Sequence, residues 1–239
     1  MLFNRAVQTT RAFLPGYVYG RILALAILAC AGNPLISLAA TLPVSESPSA
    51  EQSMKEGLRL LHRGDFEQAT LSWREAARLY EAEQKFSQQS SALIHLAQAY
   101  QALGQYGDAL QNLESALALA EKSNDRTQLA IALASLGNVY IATGPSETAR
   151  KYLDEGLRLA RELNNQDVSA ITLNNLGKLL TQQKKYTEAL AAYKESVSLA
   201  KARNNHSLVT TALINAATAS TNIKQHKEAK ALLDKALDQ

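Results

Sequence analysis

The stretch Leu93-Ile94-His95-Leu96-Ala97-Gln98-Ala99-Tyr100-Gln101-Ala102-Leu103-Gly104 decides the fold. Leu93, Leu96, Ala97 and Tyr100 fall at i, i+3, i+4 and i+7, which is one face of a helix, and Gly104 ends the pattern. The same register returns 40 residues later at Leu133, Leu136, Gly137 and Tyr140, then at Leu173, Leu176, Gly177 and Leu180, then at Leu213, Ala216 and Ala217. Working outward, Ala69, Ala109, Ala149, Ala189 and Ala229 keep the same 40-residue spacing, as do the bulky residues Trp73, Leu113, Leu153, Tyr193 and Leu233. Small residues recur at Gly57, Ala97, Gly137, Gly177 and Ala217. Five units fit between about residue 47 and residue 239, so the chain is a repeat array in which each unit buries its apolar face against the next.

Each unit reads as two helices. The second carries Ala109, Leu110, Leu113, Leu117 and Ala120 in the stretch after Gly104. Asn124, Asn164 and Asn204 recur at its end, where Asn tolerates the left-handed conformation of a C-terminal cap. Ser87, Thr127, Asp167 and Ser207 follow in phase as expected N-caps. Lys184 and Lys224 stand where Gly64, Gly104 and Gly144 mark the turn, so those two turns are expected to avoid positive φ. Close helix approach is expected where the small residues at 97, 137, 177 and 217 oppose the alanines at 109, 149, 189 and 229. The fold class is therefore all-α.

These residues resemble tetratricopeptide repeats (TPR). The family pattern is Leu, then Gly or Ala, Tyr, Gly, Ala, an aromatic or Leu, and Ala. It appears as Leu96-Ala97-Tyr100-Gly104-Ala109-Leu113-Ala116, as Leu136-Gly137-Tyr140-Gly144-Ala149-Leu153-Gly156 and as Leu176-Gly177-Leu180-Lys184-Ala189-Tyr193-Ser196. The 40-residue period is similar to that of kinesin light chains and of the TPR part of bacterial TPR–CHAT proteins. Thr172-Leu173-Asn174-Asn175-Leu176 is particularly like the kinesin light chain repeat. The resemblance implies a right-handed solenoid of about five helix-turn-helix repeats over residues 51–239. It also implies a concave groove lined by the first helices, which receives a peptide or protein partner. Mapped residue by residue, the groove positions are His95, Gln98 and Gln101, then Ser135 and Asn138, then Asn174, Asn175, Lys178 and Gln182, then Asn215, Thr218 and Asn222. This set is polar and nearly uncharged, and amides carry both a donor and an acceptor for the backbone of a bound segment. The two-Lys, two-Asn carboxylate clamp of chaperone-binding TPRs has Met54 and Leu58 at its first-repeat positions here, so it is not expected.

Charge is distributed unevenly. The chain of 239 residues has 25 Lys+Arg and 22 Asp+Glu. Arg5, Arg11 and Arg21 lie in residues 1–40, which contain no acid, so the remainder is formally neutral. The basic start, the apolar run Ile22–Ala29 and the small residues Ser37-Leu38-Ala39-Ala40 predict a signal peptide over 1–40, cut after Ala39 or Ala40. Residues 41–50, rich in Pro and Ser, are expected to be a flexible linker. The expected location is extracytoplasmic, in a bacterial periplasm or secreted. Two membrane-anchored alternatives stay open: acylation at Cys30 in Ile27-Leu28-Ala29-Cys30, or an uncleaved leader, which Asn33-Pro34 would interrupt.

No phosphate-binding loop, dinucleotide fingerprint or His-Glu-x-x-His pattern occurs, and His62, His95, His206 and His226 have no metal-ligand spacing. No enzyme activity, cofactor or metal is expected. A neutral body argues against nucleic acid as a partner. Leu232-Leu233-Ala236-Leu237 has no further repeat after it, which makes self-association through the last unit the alternative to a groove-bound partner; the regulatory partner of a CHAT-type protease is another.

Overall fold

In this computed structural model the described residues are 48–239; the expected leader and most of the expected linker lie outside them. The described residues form ten helices. The first repeat is α1 (Ala50–Arg63) and α2 (Phe66–Ala82), and the second is α3 (Phe86–Ala102) and α4 (Tyr106–Lys122). The third is α5 (Arg126–Thr143) and α6 (Ser146–Glu162), and the fourth is α7 (Gln166–Gln182) and α8 (Tyr186–Ala202). The fifth is α9 (His206–Asn222) and α10 (His226–Leu237). Ser49 caps α1 by a reciprocal exchange with Gln52, so the first helix begins at Ala50, the last residue of the expected linker.

The turns follow one design. Gln84, Asn124, Asn164, Lys184, Asn204 and Lys224 hold positive φ between 52° and 62°, and Gly64 and Gly104 hold 80° and 73°. At each of the Lys turns two backbone bonds close the motif: Lys184 N–H donates to Thr181 O at 3.0 Å and Lys185 N–H to Leu180 O at 2.9 Å. This is the left-handed closure of a helix end, in which the two residues that leave the helix donate to carbonyls three and five residues back. Lys184 and Lys224 therefore adopt the conformation that the sequence reading denied them. The closure demands a backbone shape, and a lysine is forced into it because helix packing on both sides fixes the turn.

One turn departs from the design. Gly144 takes φ 158° and ψ −94°, and α5 runs one residue longer than its counterparts. Pro145 occupies the position whose N–H closes the motif elsewhere, and proline has none. Pro145 instead precedes α6 as its N-cap residue.

The N-caps are also displaced from expectation. Asp125, Asn165 and Asn205, not Thr127, Asp167 and Ser207, accept from the first free N–H groups of α5, α7 and α9. The residue after each left-handed Asn leaves one helix and caps the next, so stop and start share two adjacent positions. Ser87 acts through its neighbour: its hydroxyl donates to Asp125 Oδ2 at 2.6 Å, tying the second repeat to the third.

Trp73, Leu113 and Leu153 are fully buried, and Tyr193 nearly so. They lie against the small residues of the preceding helix. A Cβ on Gly137 would come within 2.6 Å of Leu153 Cδ2, and one on Gly177 within 2.5 Å of Tyr193 Cε1. The same position on Gly57 faces the Trp73 indole. The small residues thus exist to admit the bulky side chain; the alanine expected opposite contributes only its backbone, Ala149 O lying 3.4 Å from that Cβ position. Leu233, the fifth member of the bulky series, is instead exposed.

Candidate peptide-binding face

From the second repeat onward charge separates the two layers of the array, whereas α1 of the first repeat carries Glu51, Lys55, Glu56, Arg59 and Arg63. Helices α3, α5, α7 and α9 together carry only Arg126, Asp167 and Lys178, whereas every even-numbered helix carries several ion-forming residues. The odd-numbered helices touch one another across repeats, α3 with α5, α5 with α7 and α7 with α9, and no even-numbered pair packs comparably. Helices that approach each other from repeat to repeat lie on the inside of the bend, so the odd helices form the inner layer.

Their polar side chains are linked between repeats. Asn138 Nδ2 donates to Gln101 Oε1 at 2.7 Å, joining α5 to α3. Asn215 Nδ2 donates to Asn174 Oδ1 at 3.0 Å, joining α9 to α7. Gln182 Nε2 reaches back to the carbonyl of Ile141 at 3.2 Å. Each bond holds one amide, and the partly buried Gln101, Asn138 and Asn215 keep further donor and acceptor positions, whereas Asn174 is enclosed.

The expected groove residues divide by burial. Gln98, Gln182, Thr218 and Asn222 are exposed, and His95, Gln101, Ser135, Asn138, Lys178 and Asn215 are partly buried. Asn174 and Asn175 are enclosed, at 4% and 6% exposure. Thr218 and Asn222 bond within their own helix, Thr218 Oγ1 to Ile214 O at 3.1 Å and Asn222 Nδ2 to Thr218 O at 2.9 Å.

His95 is the inner-layer residue most tied to the core. Its ring stacks on Trp73 with centroids 5.3 Å apart, and its Nδ1 is enclosed without a hydrogen-bond partner, as is Trp73 Nε1. Burial pushes the imidazole below its ordinary range, and its hydrogen bond with Gln98 offsets this only in part. Burial likewise lowers the Lys178 ammonium, with no opposing contribution from a carboxylate.

Two aliphatic residues complete the surface, and the polar reading of the sequence passed over them. Ile171 on α7 is 43% exposed and Ile214 on α9 is 46% exposed. Ile171, Asn174 and Lys178 are spaced i, i+3 and i+7, so they share one face of α7. The register gave no clear signal: the same phase holds Ser91 in the second repeat and Thr211 in the fifth, but Ile131 in the third, where it packs against the core. Among the described residues no cluster of three metal-ligating side chains occurs, and no helix is long and apolar enough to cross a membrane.

The repeat geometry agrees with the sequence comparison. A tetratricopeptide repeat family model matches residues 88–162 and again 168–239, and the chain belongs to that family. No curated protein sequence matches it. Among solved structures it is similar to BtubC (BKLC) from P. vanneervenii, at 20% identity and TM-score 0.63 over 79% of this chain and 78% of that one. It is similar to a Rap protein solved in complex with Competence and Sporulation Factor, at 16% identity and TM-score 0.72 over 79% of this chain and 53% of that one. It thus spans about half the length of the Rap protein. The putative kinesin light chain TPR-like repeats of Podosopora anserina match at 17% identity and TM-score 0.59, over 79% of this chain and 92% of that one. At these identities the likeness is one of fold.

Proposed function

We propose that the array is a protein-interaction scaffold that receives an extended peptide segment along the inner face of α3, α5, α7 and α9. The observation that carries the reading is the pairing of amides across repeats on a face with almost no charge, Asn138 with Gln101 and Asn215 with Asn174. Paired amides are held in place, and Gln101, Asn138 and Asn215 keep unused donors and acceptors, which suits a peptide backbone irrespective of its side chains. The Rap protein of similar fold, solved with Competence and Sporulation Factor, supports a peptide-sized ligand. The basic, acid-free leader adds an export step, so the scaffold works outside the cytoplasm; N-terminal sequencing of the protein from cells tests this, and an intact Met1 terminus on a cytoplasmic product contradicts it.

The groove is tested with the full chain immobilised and exposed to a random dodecapeptide library. Asn174→Ala combined with Asn215→Ala removes both members of one amide pair, so no half-satisfied partner remains, and circular dichroism checks that the helices are intact. The double variant is expected to retain far less of the peptide pool than the wild type. Equal retention contradicts the reading.

A second reading has its own observation: Leu233 and Leu237 on α10 are 45% and 85% exposed. Association of copies through this helix would cover them. Light scattering tests it, and a monomer at high protein concentration contradicts it.

A further inference from the structure

The outer layer carries a cleft of its own, away from the inner face. It lies between α8 and α10 and encloses about 450 Å³. Its floor is apolar, made by Val197 of α8, Leu213 of α9, and Ala231 and Leu232 of α10. Its two ends differ in charge. At one end Lys194 Nζ of α8 meets Glu228 Oε1 of α10 at 2.5 Å, a bridge that shuts the cleft. At the other end stand Lys201 and Lys235, each seven residues further along its helix and each exposed. The preceding repeat shows what those two positions do when their charges are opposite. Their counterparts 40 residues earlier are Arg161 of α6 and Glu195 of α8, whose Nη2 and Oε1 lie 2.7 Å apart. With a lysine in place of that glutamate the bridge cannot form. Neither Lys201 nor Lys235 has a carboxylate within ion-pair distance among the described residues.

We propose that this cleft binds a single-chain fatty carboxylate. The head sits between Lys201 and Lys235, and the chain runs along the floor towards the Lys194–Glu228 bridge. The inference is independent of the peptide-binding reading. Charge sets the head: the rim has three lysines and one glutamate, and an anion at the open end replaces one repulsion with two attractions. The floor sets the tail, because methylene groups gain by leaving water for Val197, Leu213 and Leu232. Seven residues of α-helix separate the two ends by about 10 Å. At about 30 Å³ for each water-sized group, the cleft accepts about fifteen non-hydrogen atoms, which is one chain of about ten to twelve carbons with its carboxylate. A two-chain lipid exceeds that volume.

The test is isothermal titration of the full chain with decanoate, decanol and acetate. The wild type is expected to bind one decanoate per chain, and acetate not measurably. Decanol, which lacks the charge-assisted contact, is expected to bind about tenfold more weakly. Lys235→Glu sets a carboxylate opposite Lys201, as Glu195 is set opposite Arg161, and is expected to abolish decanoate binding by closing the open end. Ala231→Phe keeps both lysines, fills the floor from an exposed position, and is expected to abolish it too. Circular dichroism checks that the helices of both variants are intact; if one variant unfolds, the other decides. Methyl resonances of Val197, Leu213 and Leu232 are expected to shift with decanoate while those of Ile171, on the inner face, do not. Absence of saturable decanoate binding, equal binding of decanol, or binding that survives either folded variant overturns the proposal. Capture by phosphatidylglycerol vesicles without binding of free decanoate also overturns it, since the lysines would then serve a membrane surface.

Discussion

Lys184 and Lys224 hold φ of 60° and 62° in turns whose counterparts in the first two repeats are glycines. A side chain in the left-handed region costs about 1 kcal/mol relative to glycine. Lys224→Gly is therefore expected to raise the thermal midpoint, by about 1 kcal/mol of stability at most, because glycine's greater freedom in the unfolded chain offsets part of the gain. A lower midpoint would show that the lysine side chain contributes something the turn geometry does not reveal. His95 gives a pH dependence. Its folded-state pKa lies below the ordinary 6.5, so the unfolded chain takes up a proton first as pH falls. Stability contributed by the neutral, stacked ring is present above that value and is lost as pH drops below it towards the folded-state pKa. Chemical denaturation at a series of pH values is expected to show this loss in the wild type and not in His95→Phe, which keeps an aromatic ring against Trp73. Identical pH profiles for the two would contradict the assignment.

At the level of the helix pair, small residues and bulky residues were both visible in the 40-residue register, but which touches which was not. Periodicity reports the face a residue occupies; it does not say whether Gly177 meets Ala189 or Tyr193. The structure answers with Tyr193, whose ring fills the space a Cβ would need and whose hydroxyl lies 3.2 Å from Thr181 Oγ1. Gly177→Ala must displace that ring and is expected to lower stability by about 1–3 kcal/mol, the range for overpacking a fitted site. Combining it with Tyr193→Leu is expected to recover part of the loss, since Ala97 and Leu113 coexist at the same phase of the second repeat. Additive losses in the double variant would contradict the contact. The caps were misplaced for a related reason. Hydroxyl and carboxylate residues at a fixed phase look alike in sequence, and only the backbone tells Asp125, which caps, from Thr127, whose N–H it caps.

For the array as a whole, the period carried the repeat number and the helix pairing, while the division into inner and outer layers came from the resemblance to tetratricopeptide repeats. The inner face was legible as a set of amides, because residues such as Asn138 and Asn215 recur where the core does not need them. Its enclosure of Asn174 and Asn175, the bonds that join amides across repeats, and the exposure of Ile171 and Ile214 were not, since they depend on how far successive odd helices approach. The central claim is that this inner layer, and not the charged outer one, receives a peptide. It is tested most directly by placing a photo-crosslinking residue at Gln182, exposed on α7, or at Lys151, exposed on α6, and irradiating each with the dodecapeptides selected by the wild type. The account predicts crosslinks from position 182 and background from position 151. Crosslinking from position 151 with none from 182 would contradict it.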